Sequence, residues 1–267
     1  MQSRESWKCG GQLKHKVSLR AGRSIFFAFT IIISLIPFFS KIYYIDRYMD
    51  FDFIKMVIPM YLQAAWLTLR LALIGILLSL LLGLICALIK YFKVPLLRRI
   101  VGFYIELSRN TPLLIQLFFL YFAFPRMGIK LSSVQCAIIG LTFLGGSYME
   151  ETFRSALESV SKIQIESAQC IGLTPRQVTQ YVILPQAVSV SIPGFCANVM
   201  FLIKETSVFS AVALADLMYI AKDLIGLYYK TDEALTLLSI SYFILLLPIS
   251  LLAAYAERRL RYAQFGR

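Results

Sequence analysis

Residues 161–185 read SKIQIESAQCIGLTPRQVTQYVILP and form a polar segment between two long apolar stretches. Ser161 followed by Gln164 is a capping-box pattern, which predicts that a helix begins there. Gly172 fits the position just after the last residue of a helix, where a left-handed backbone is favoured. The pattern therefore predicts a first short helix between Ser161 and Gly172.

The second half of this segment predicts another short helix. Thr174 fits the N-cap, Pro175 fits the first helical position, and Gln177 completes a second capping box. Pro185 is expected to end the helix. One face of the helix is apolar and consists of Val178, Tyr181 and Val182. Two capped amphipathic helices suit either a docking element or a connector lying flat on a bilayer, and the pattern alone leaves both open.

The composition indicates an integral membrane protein. Of 267 residues, 58% are hydrophobic, and the mean hydropathy is +0.71. The net charge of +12 comes from Lys and Arg in short loops beside apolar segments. This placement is explained better by a role of the basic residues in orienting the protein in the membrane than by nucleic-acid binding. The five cysteines are scattered and His15 is the only histidine, which argues against a metal site. The sequence contains no P-loop motif, so we expect no nucleotide cofactor in this chain.

Six apolar segments have the length needed to cross a membrane core of about 30 Å. They cover about 24–45, 62–91, 98–125, 133–155, 187–204 and 234–256. The first is too long for a signal peptide and lacks a small-residue cleavage site, so we expect it to be retained. The third is interrupted at 106–112, where Pro112 removes a backbone donor. Residues 205–232 are expected to form a loop of mixed charge.

The distribution of basic residues predicts the orientation in the membrane. Six crossings place both termini on one side, together with residues 161–185. Under this arrangement 17 of the 27 Lys and Arg residues lie on that side and 8 lie on the other, while Arg70 and Arg109 fall within spans. The excess predicts that both termini and residues 161–185 are cytoplasmic.

Charged residues at or near membrane depth are the candidates for function, because burying them in lipid is costly. Arg70 either extends to the membrane surface or lines a pathway. Arg109 precedes the break at Pro112, where it either donates to the carbonyls freed by the proline or contacts a substrate. Glu150 and Glu151 have the spacing to pair with Arg154.

Residues 204–207, KETS, close the fifth apolar segment. Lys204 and Glu205 are adjacent, so their side chains point in different directions and are candidates to line a polar pathway. The sequence contains no nucleophile–base pair, carboxylate dyad or metal cluster, so transport or channel function is favoured over catalysis. A membrane-embedded enzyme would need convergent catalytic residues. A secondary transporter would show inverted repeats and deep ion-coupling carboxylates, and neither is evident.

Residues 166–185 resemble the EAA motif of ABC importer permeases, E-A-A-x3-G-x9-I-x-L-P. The residues on this motif are Glu166, Ser167, Ala168, Gly172, Leu184 and Pro185. The spacing is intact, with Ser167 in place of an alanine and Val182 in place of the isoleucine. The resemblance implies that these residues couple the permease to its ATPase.

Four flanking segments resemble permeases for polar amino acids of the histidine and glutamine type, over about 60–260. Residues 109–116 (RNTPLLIQ) resemble R-G-T-P-L-L-x-Q, and 148–154 (YMEETFR) resemble the end of A-Y-x-x-E-x-x-R. Residues 184–187 (LPQA) and 204–207 (KETS) resemble L-P-Q-A and K-D-T-S. The sequence departs from the family pattern at Asn110, where glycine is usual, at Ile163, and by the extra Glu150.

The resemblance implies an all-α polytopic membrane protein with the type I ABC importer fold. Residues 1–50 are then a basic cytoplasmic tail with an extra N-terminal helix, and 51–260 are the permease domain with five core helices. Residues 156–185 form its cytoplasmic coupling loop, and 261–267 form a cytoplasmic tail. The implied partners are a cytoplasmic ATPase dimer that binds ATP and Mg²⁺, a second permease subunit in a homodimer or heterodimer, an extracytoplasmic solute-binding protein and membrane lipid.

The resemblance also implies a function and a substrate path. The chain is expected to be a non-enzymatic permease subunit of an ATP-driven importer for polar amino acids in a bacterial inner membrane. A permease for another small solute, and a stand-alone secondary transporter, are the alternatives. The implied path residues are Arg109, Thr111, Gln116, Glu151, Lys204, Glu205 and Thr206.

Overall fold

The computed structural model describes residues 49–265, and all the regular secondary structure in that range is helical. Within this range, the residues from Asp52 to Phe265 belong to one compact unit. The all-α prediction is therefore confirmed for this part of the chain. The predicted basic tail and the apolar segment at about 24–45 lie outside the described residues.

Between residues 49 and 265 the chain forms nine α-helices. They are α1 (Phe51–Tyr91), α2 (Leu97–Asn110), α3 (Leu113–Phe118), α4 (Ser133–Glu158), α5 (Lys162–Cys170), α6 (Pro175–Val178), α7 (Leu184–Glu205), α8 (Leu217–Tyr228) and α9 (Thr231–Phe265). Single π-helical turns, Phe119–Ala123 and Thr179–Ile183, follow α3 and α6. Two 3₁₀ segments, Phe124–Met127 and Thr206–Val212, complete the helical structure.

Three helices among the described residues are long and apolar enough to cross a membrane. They are Phe51–Tyr91, Pro175–Val212 and Thr231–Ala256. Each contains one of the predicted apolar segments, 62–91, 187–204 and 234–256. The segment at 98–125 is divided at Pro112 into two shorter helical pieces, the second of which, Leu113–Met127, is apolar. The segment at 133–155 lies in α4, whose second half carries Glu150, Glu151 and Arg154.

Two local predictions were wrong. Pro185 does not end the second short helix, because the chain passes through the π turn Thr179–Ile183 into α7 and places Pro185 at the start of α7, where its missing N–H is tolerated. Residues 205–232 are not simply a loop, since they contain the 3₁₀ segment and α8. The helix predicted to begin at Ser161 is confirmed, since Ser161 is the N-cap of α5, although its side chain makes no capping hydrogen bond.

The main core surrounds α4, where glycines bring neighbouring helices close. A Cβ built on Gly140 would lie 2.8 Å from Leu117 Cδ2 in α3, and one on Gly146 would lie 2.6 Å from the Tyr104 hydroxyl oxygen in α2. Gly145 faces Ser79 of α1 and Leu202 of α7 in the same way. Small residues let helix backbones approach in a membrane protein, so α4 holds four helices together.

A second core joins the first part of α1 to α8 and α9. Its buried residues are Phe53, Val57, Tyr61, Ala64, Leu217, Ala221, Leu224 and Ala234. The Tyr61 hydroxyl also donates to the carbonyl oxygen of Ala234 at 2.8 Å. The α8 helix begins at the N-cap Asp216, whose Oδ1 accepts from the Tyr219 backbone N–H at 2.9 Å.

Candidate functional site

The break between α2 and α3 is closed by side-chain hydrogen bonds. Pro112 has no N–H to donate to the carbonyl of Ser108, and Gln116 Nε2 donates to that oxygen at 3.0 Å instead. The Thr111 hydroxyl donates to Leu107 O at 2.7 Å, and Gln116 Nε2 also contacts Thr111 O and Oγ1 at 3.0 Å. The freed carbonyls therefore receive hydrogen bonds from Thr111 and Gln116. Arg109 does not contribute to closing the break, because its guanidinium donates to Glu151.

A cavity of about 350 Å³ opens beside this break. Its lining combines the end of α2, the start of α3, the middle of α4 and the end of α7 with the 3₁₀ segment that follows. The lining residues are Arg109, Asn110, Thr111, Pro112, Leu113, Leu114, Leu144, Tyr148, Phe201, Glu205 and Val208. The volume lies within the range of sites for small molecules, about 300–1,000 Å³.

Two opposite charges line the cavity. Arg109, at the end of α2, forms an ion pair with Glu151 of α4. Its guanidinium carbon also lies 5.0 Å from the centre of the Tyr148 ring, which is the geometry of a cation–π contact. Glu205, the last residue of α7, is half-buried and supplies the negative charge. The cavity thus offers a cation and an anion separated by polar, aromatic and aliphatic groups.

The structure brings three of the seven predicted path residues to the cavity, namely Arg109, Thr111 and Glu205. Gln116 is half-buried and closes the helix break, while Glu151 contacts the cavity only through Arg109. The other two, Lys204 and Thr206, flank Glu205 in the chain. Lys204 is exposed, whereas Thr206 is fully buried and donates to Ile203 O at 2.6 Å.

Two aromatic wall residues, Tyr148 and Phe201, were not singled out as path residues. Their ring centroids are 5.0 Å apart. Tyr148 could have been predicted from the sequence, because it lies one helical turn before Glu151 in the segment that resembles the family pattern. Phe201 gives no such signal, since one aromatic residue in an apolar helix resembles any other. Arg70 is exposed on α1, and it is absent from the lining of this cavity.

A buried carboxylate adjoins the cavity-facing part of α4. Glu150 is 1% exposed, and its Oε1 lies 3.3 Å from Lys90 Nζ of α1 and 3.7 Å from Arg154 Nε. The predicted pairing with Arg154 is therefore confirmed for Glu150. Glu151 pairs with Arg109 instead, so the two adjacent glutamates connect α4 to α1 and to α2.

The two-helix loop at 161–185 is a small folded unit. Gly172 has φ +87°, and the hydrogen bonds from Gly172 N to Gln169 O and from Leu173 N to Ala168 O form a Schellman motif. Thr174 and Gln177 form the predicted capping box. The helices pack through a local core of four buried residues, Val160, Ala168, Val178 and Ile183.

One face of α5 remains exposed. Glu166 and Ser167 lie on the surface, as do Ile163 and Ile171, with 72% and 78% of their areas exposed. Ala168 is instead 7% exposed, and its small side chain packs against the rest of the loop. Leu184 and Pro185, at the start of α7, are exposed. An apolar and charged surface of this kind, on a rigid loop, suits contact with another protein.

A helical membrane protein with a charged cavity and a rigid exposed loop has the features of a transport subunit. The chain belongs to the family of binding-protein-dependent transport system inner membrane components, whose profile matches residues 79–262. It is a permease component of an ABC transporter, and in this family the ATPase is a separate subunit. Family membership excludes a stand-alone secondary transporter and an enzyme.

Curated relatives and solved structures agree with this assignment. The chain is 36% identical over 207 residues to the probable glutamine ABC transporter permease protein GlnP of Bacillus subtilis (strain 168). The matched region covers 76% of this chain and 89% of that protein. It is 34% identical over 205 residues to the L-cystine transport system permease protein TcyB of the same organism, covering 76% and 87%.

Two solved structures have a similar fold. The crystal structure of an amino acid ABC transporter with histidines superposes with a TM-score of 0.75 at 27% identity, covering 79% of this chain and 99% of that one. The MetNI methionine ABC transporter in an inward-facing conformation superposes with a TM-score of 0.63 at 22% identity, covering 75% and 96%. The second likeness shows the fold alone.

Proposed function

We propose that this permease carries polar amino acids through the cavity at the α2–α3 break. The observation that carries the proposal is that Arg109 and Glu205 line one cavity. Every zwitterionic amino acid has a carboxylate and an ammonium group, which such a pair of charges can bind by charge-assisted hydrogen bonds. The names of the relatives, which mention glutamine and cystine, support amino acids over other small solutes.

Arg109→Gln and Glu205→Gln test this path. Glu205→Gln removes one charge with little change in shape, and Arg109→Gln replaces the other charge with a shorter polar side chain. A hydrogen bond to a charged group contributes about 1.5–3 kcal/mol. Amino-acid uptake by the complete transporter in proteoliposomes should fall at least tenfold in either variant. Lys204→Gln is the control, because Lys204 is exposed and lies outside the cavity lining. Unchanged affinity and rate in both cavity variants would exclude the path.

We further propose that residues 156–185 are the coupling loop and that Glu166, Ser167, Ala168, Gly172, Leu184 and Pro185 form its EAA motif. Glu166 and Ser167 contact the partner ATPase, while Ala168 and Gly172 keep α5 compact through the local core and the Schellman motif. Leu184 and Pro185 begin α7, which ends at Glu205 in the cavity wall.

Helix α7 supplies the mechanical connection between the two sites. Its 22 residues extend about 33 Å at 1.5 Å per residue. When ATP closes the ATPase dimer, the coupling loop moves with the ATPase, and α7 carries this displacement to Glu205. The coupling between ATP and cargo is therefore the free energy with which each site biases one arrangement of the rigid helices.

Charge reversal on the exposed face of α5 tests the docking role. Glu166→Lys replaces a surface carboxylate, so the fold of the loop is preserved while the contact is altered. The amount of ATPase that co-purifies with the permease should fall at least tenfold. Lys130→Glu reverses an exposed charge far from the loop in sequence and should leave co-purification unchanged. Normal ATPase recovery with Glu166→Lys would contradict docking through this face.

The remaining assignments follow from the same proposal. The permease domain has five core helices, and the apolar side chains exposed along them face lipid and a second permease subunit. Both termini are cytoplasmic in the bacterial inner membrane. A solute-binding protein delivers the amino acid on the opposite side. ATP and Mg²⁺ are bound by the partner ATPase, and this chain holds no cofactor.

A further inference from the structure

The two charged groups of the cavity do not recognise the side chain of the transported amino acid. Arg109 and Glu205 match the carboxylate and the ammonium group, which are common to all zwitterionic amino acids. Discrimination among polar amino acids therefore has to come from uncharged groups in the lining. A site that hydrogen-bonds a cargo group rejects an analogue lacking that group, because its own polar atoms are then left unpaired.

Asn110 is the lining residue suited to this task. It is the last residue of α2, it lies beside Arg109, and it is exposed. Among residues 49–265, no hydrogen bond engages its side-chain amide, so both the donor and the acceptor of that amide remain available. The resemblance to polar amino-acid permeases places glycine at this position, which has no side chain to offer.

We infer that Asn110 determines specificity and selects cargo whose side chain ends in a carboxamide, an inference that rests on the proposed function of the cavity. Two carboxamides pair reciprocally, since each supplies an N–H donor and a carbonyl acceptor. A glutamine bound through Arg109 and Glu205 presents its side-chain amide to Asn110. Norvaline has a side chain of similar length that ends in a methyl group, and it leaves Asn110 unpaired.

The test measures amino-acid affinity for the purified permease–ATPase complex without the solute-binding protein. Radiolabelled glutamine is the probe, and unlabelled norvaline and ornithine are competitors. The native complex should bind glutamine at least tenfold more tightly than norvaline, since about one net hydrogen bond corresponds to tenfold and the reciprocal pair makes two. Asn110→Leu, of similar size, should weaken glutamine binding about tenfold and leave norvaline binding unchanged.

A second substitution gives a result that misfolding cannot imitate. Asn110→Asp places a carboxylate in the same position, where it can pair with the side-chain ammonium of ornithine. The affinity for ornithine should rise about tenfold while that for glutamine falls. A glutamine-to-norvaline ratio that stays the same in Asn110→Leu, or an ornithine affinity that does not rise in Asn110→Asp, would overturn the role of Asn110.

Arg109→Gln separates this inference from the proposed function. It should weaken glutamine and norvaline about equally, because both carry the carboxylate. If Arg109→Gln weakens both amino acids while the Asn110 variants keep the native ranking, the specificity inference fails and the path stands. If Arg109→Gln changes neither affinity, the path itself fails, and the specificity inference fails with it.

Discussion

Asp216 is a carboxylate in an unusually costly position for a single residue. It is fully buried, and its Oδ1 caps α8 through the Tyr219 N–H, whereas no partner within residues 49–265 reaches its Oδ2. Burial raises the pKa of Asp216 from the ordinary 3.8 to about 6, against the opposing effects of backbone hydrogen bonds and the charge of Lys222. The folded protein therefore holds this proton more tightly than the unfolded chain.

This difference in pKa predicts how stability depends on pH. Because the folded-state pKa is raised, the contribution of Asp216 is fully favourable below about pH 4 and is lost as pH rises to about 6. Asp216→Asn keeps an oxygen for the Tyr219 N–H and removes the titration. At pH 7.5 it should be more stable than the native protein by up to about 3 kcal/mol, with little difference at pH 4.

The apparent melting temperature of the purified permease in detergent, measured from pH 4 to pH 8, checks this prediction. The native protein should lose stability between pH 4 and pH 6 relative to Asp216→Asn. Lys222→Gln serves as a comparison, because it removes the cation that lowers the pKa of Asp216 and should move the transition to higher pH. Parallel pH curves for the native protein and Asp216→Asn would contradict a raised pKa.

Sequence patterns located part of this chemistry at the residue scale. Arg109, Thr111 and Glu205 were found because they stand in motifs or at the ends of apolar segments. For Arg109, the structure was needed to choose between donation to the carbonyls freed by Pro112 and contact with the substrate, since a sequence pattern does not tell which donor reaches a freed carbonyl. The burial of Asp216 escaped prediction because it depends on α1 and α9, which are distant in sequence.

At the scale of helices, the glycines of α1 and α4 set how closely the two elements pack. A Cβ built on Gly83 would lie 2.6 Å from Met149 Cβ, 2.8 Å from the backbone N of Glu150 and 2.9 Å from Gly146 O. Backbone atoms cannot turn aside, so the helices themselves would have to separate. Close contact at Gly83 also keeps Glu150 near Lys90.

Two glycine substitutions of opposite expected effect test this packing. Gly83→Ala should destabilise the permease by about 1–3 kcal/mol through overpacking. Gly102→Ala, in α2, is the matched control, because nothing lies within 4 Å of the added Cβ. It should be neutral or stabilise by up to about 1 kcal/mol through helix propensity. Thermal unfolding of both variants gives the comparison, and equal effects would show that close packing at Gly83 is unimportant.

The sequence was informative about helices where capping residues and apolar length agreed. It predicted the loop helices and the break at Pro112. It missed α8, although Asp216 at the N-cap and Leu217, Ala221 and Leu224 at spacings of four and three residues are a valid signal. The mixed charge of residues 205–232 led to the wrong prediction of a loop. Similarly, the π turn before α7 has no sequence signature, so the pattern wrongly predicted that the second short helix ends at Pro185.

For the whole molecule, orientation in the membrane follows from the sum of many weak preferences. No single loop decides it, but 17 of the 27 basic residues lie on the side assigned to the cytoplasm. The proposed coupling loop precedes the start of α7, and Glu205 at the end of α7 lines the cavity. Under the proposed function, cargo reaches the cavity from one side, while ATP hydrolysis acts from the other.

Cysteine labelling tests this orientation directly. Cys170 is exposed on α5, so in a variant that keeps it as the sole cysteine, an impermeant maleimide should label it only after detergent solubilisation. A second variant carries Met127→Cys as its sole cysteine. Met127 is 74% exposed at the end of the 3₁₀ segment Phe124–Met127, which the six-crossing arrangement places on the opposite side, so this cysteine should be labelled in intact cells. If Cys170 reacts in intact cells as readily as the cysteine at position 127, the predicted topology is wrong, and the loop cannot meet a cytoplasmic ATPase.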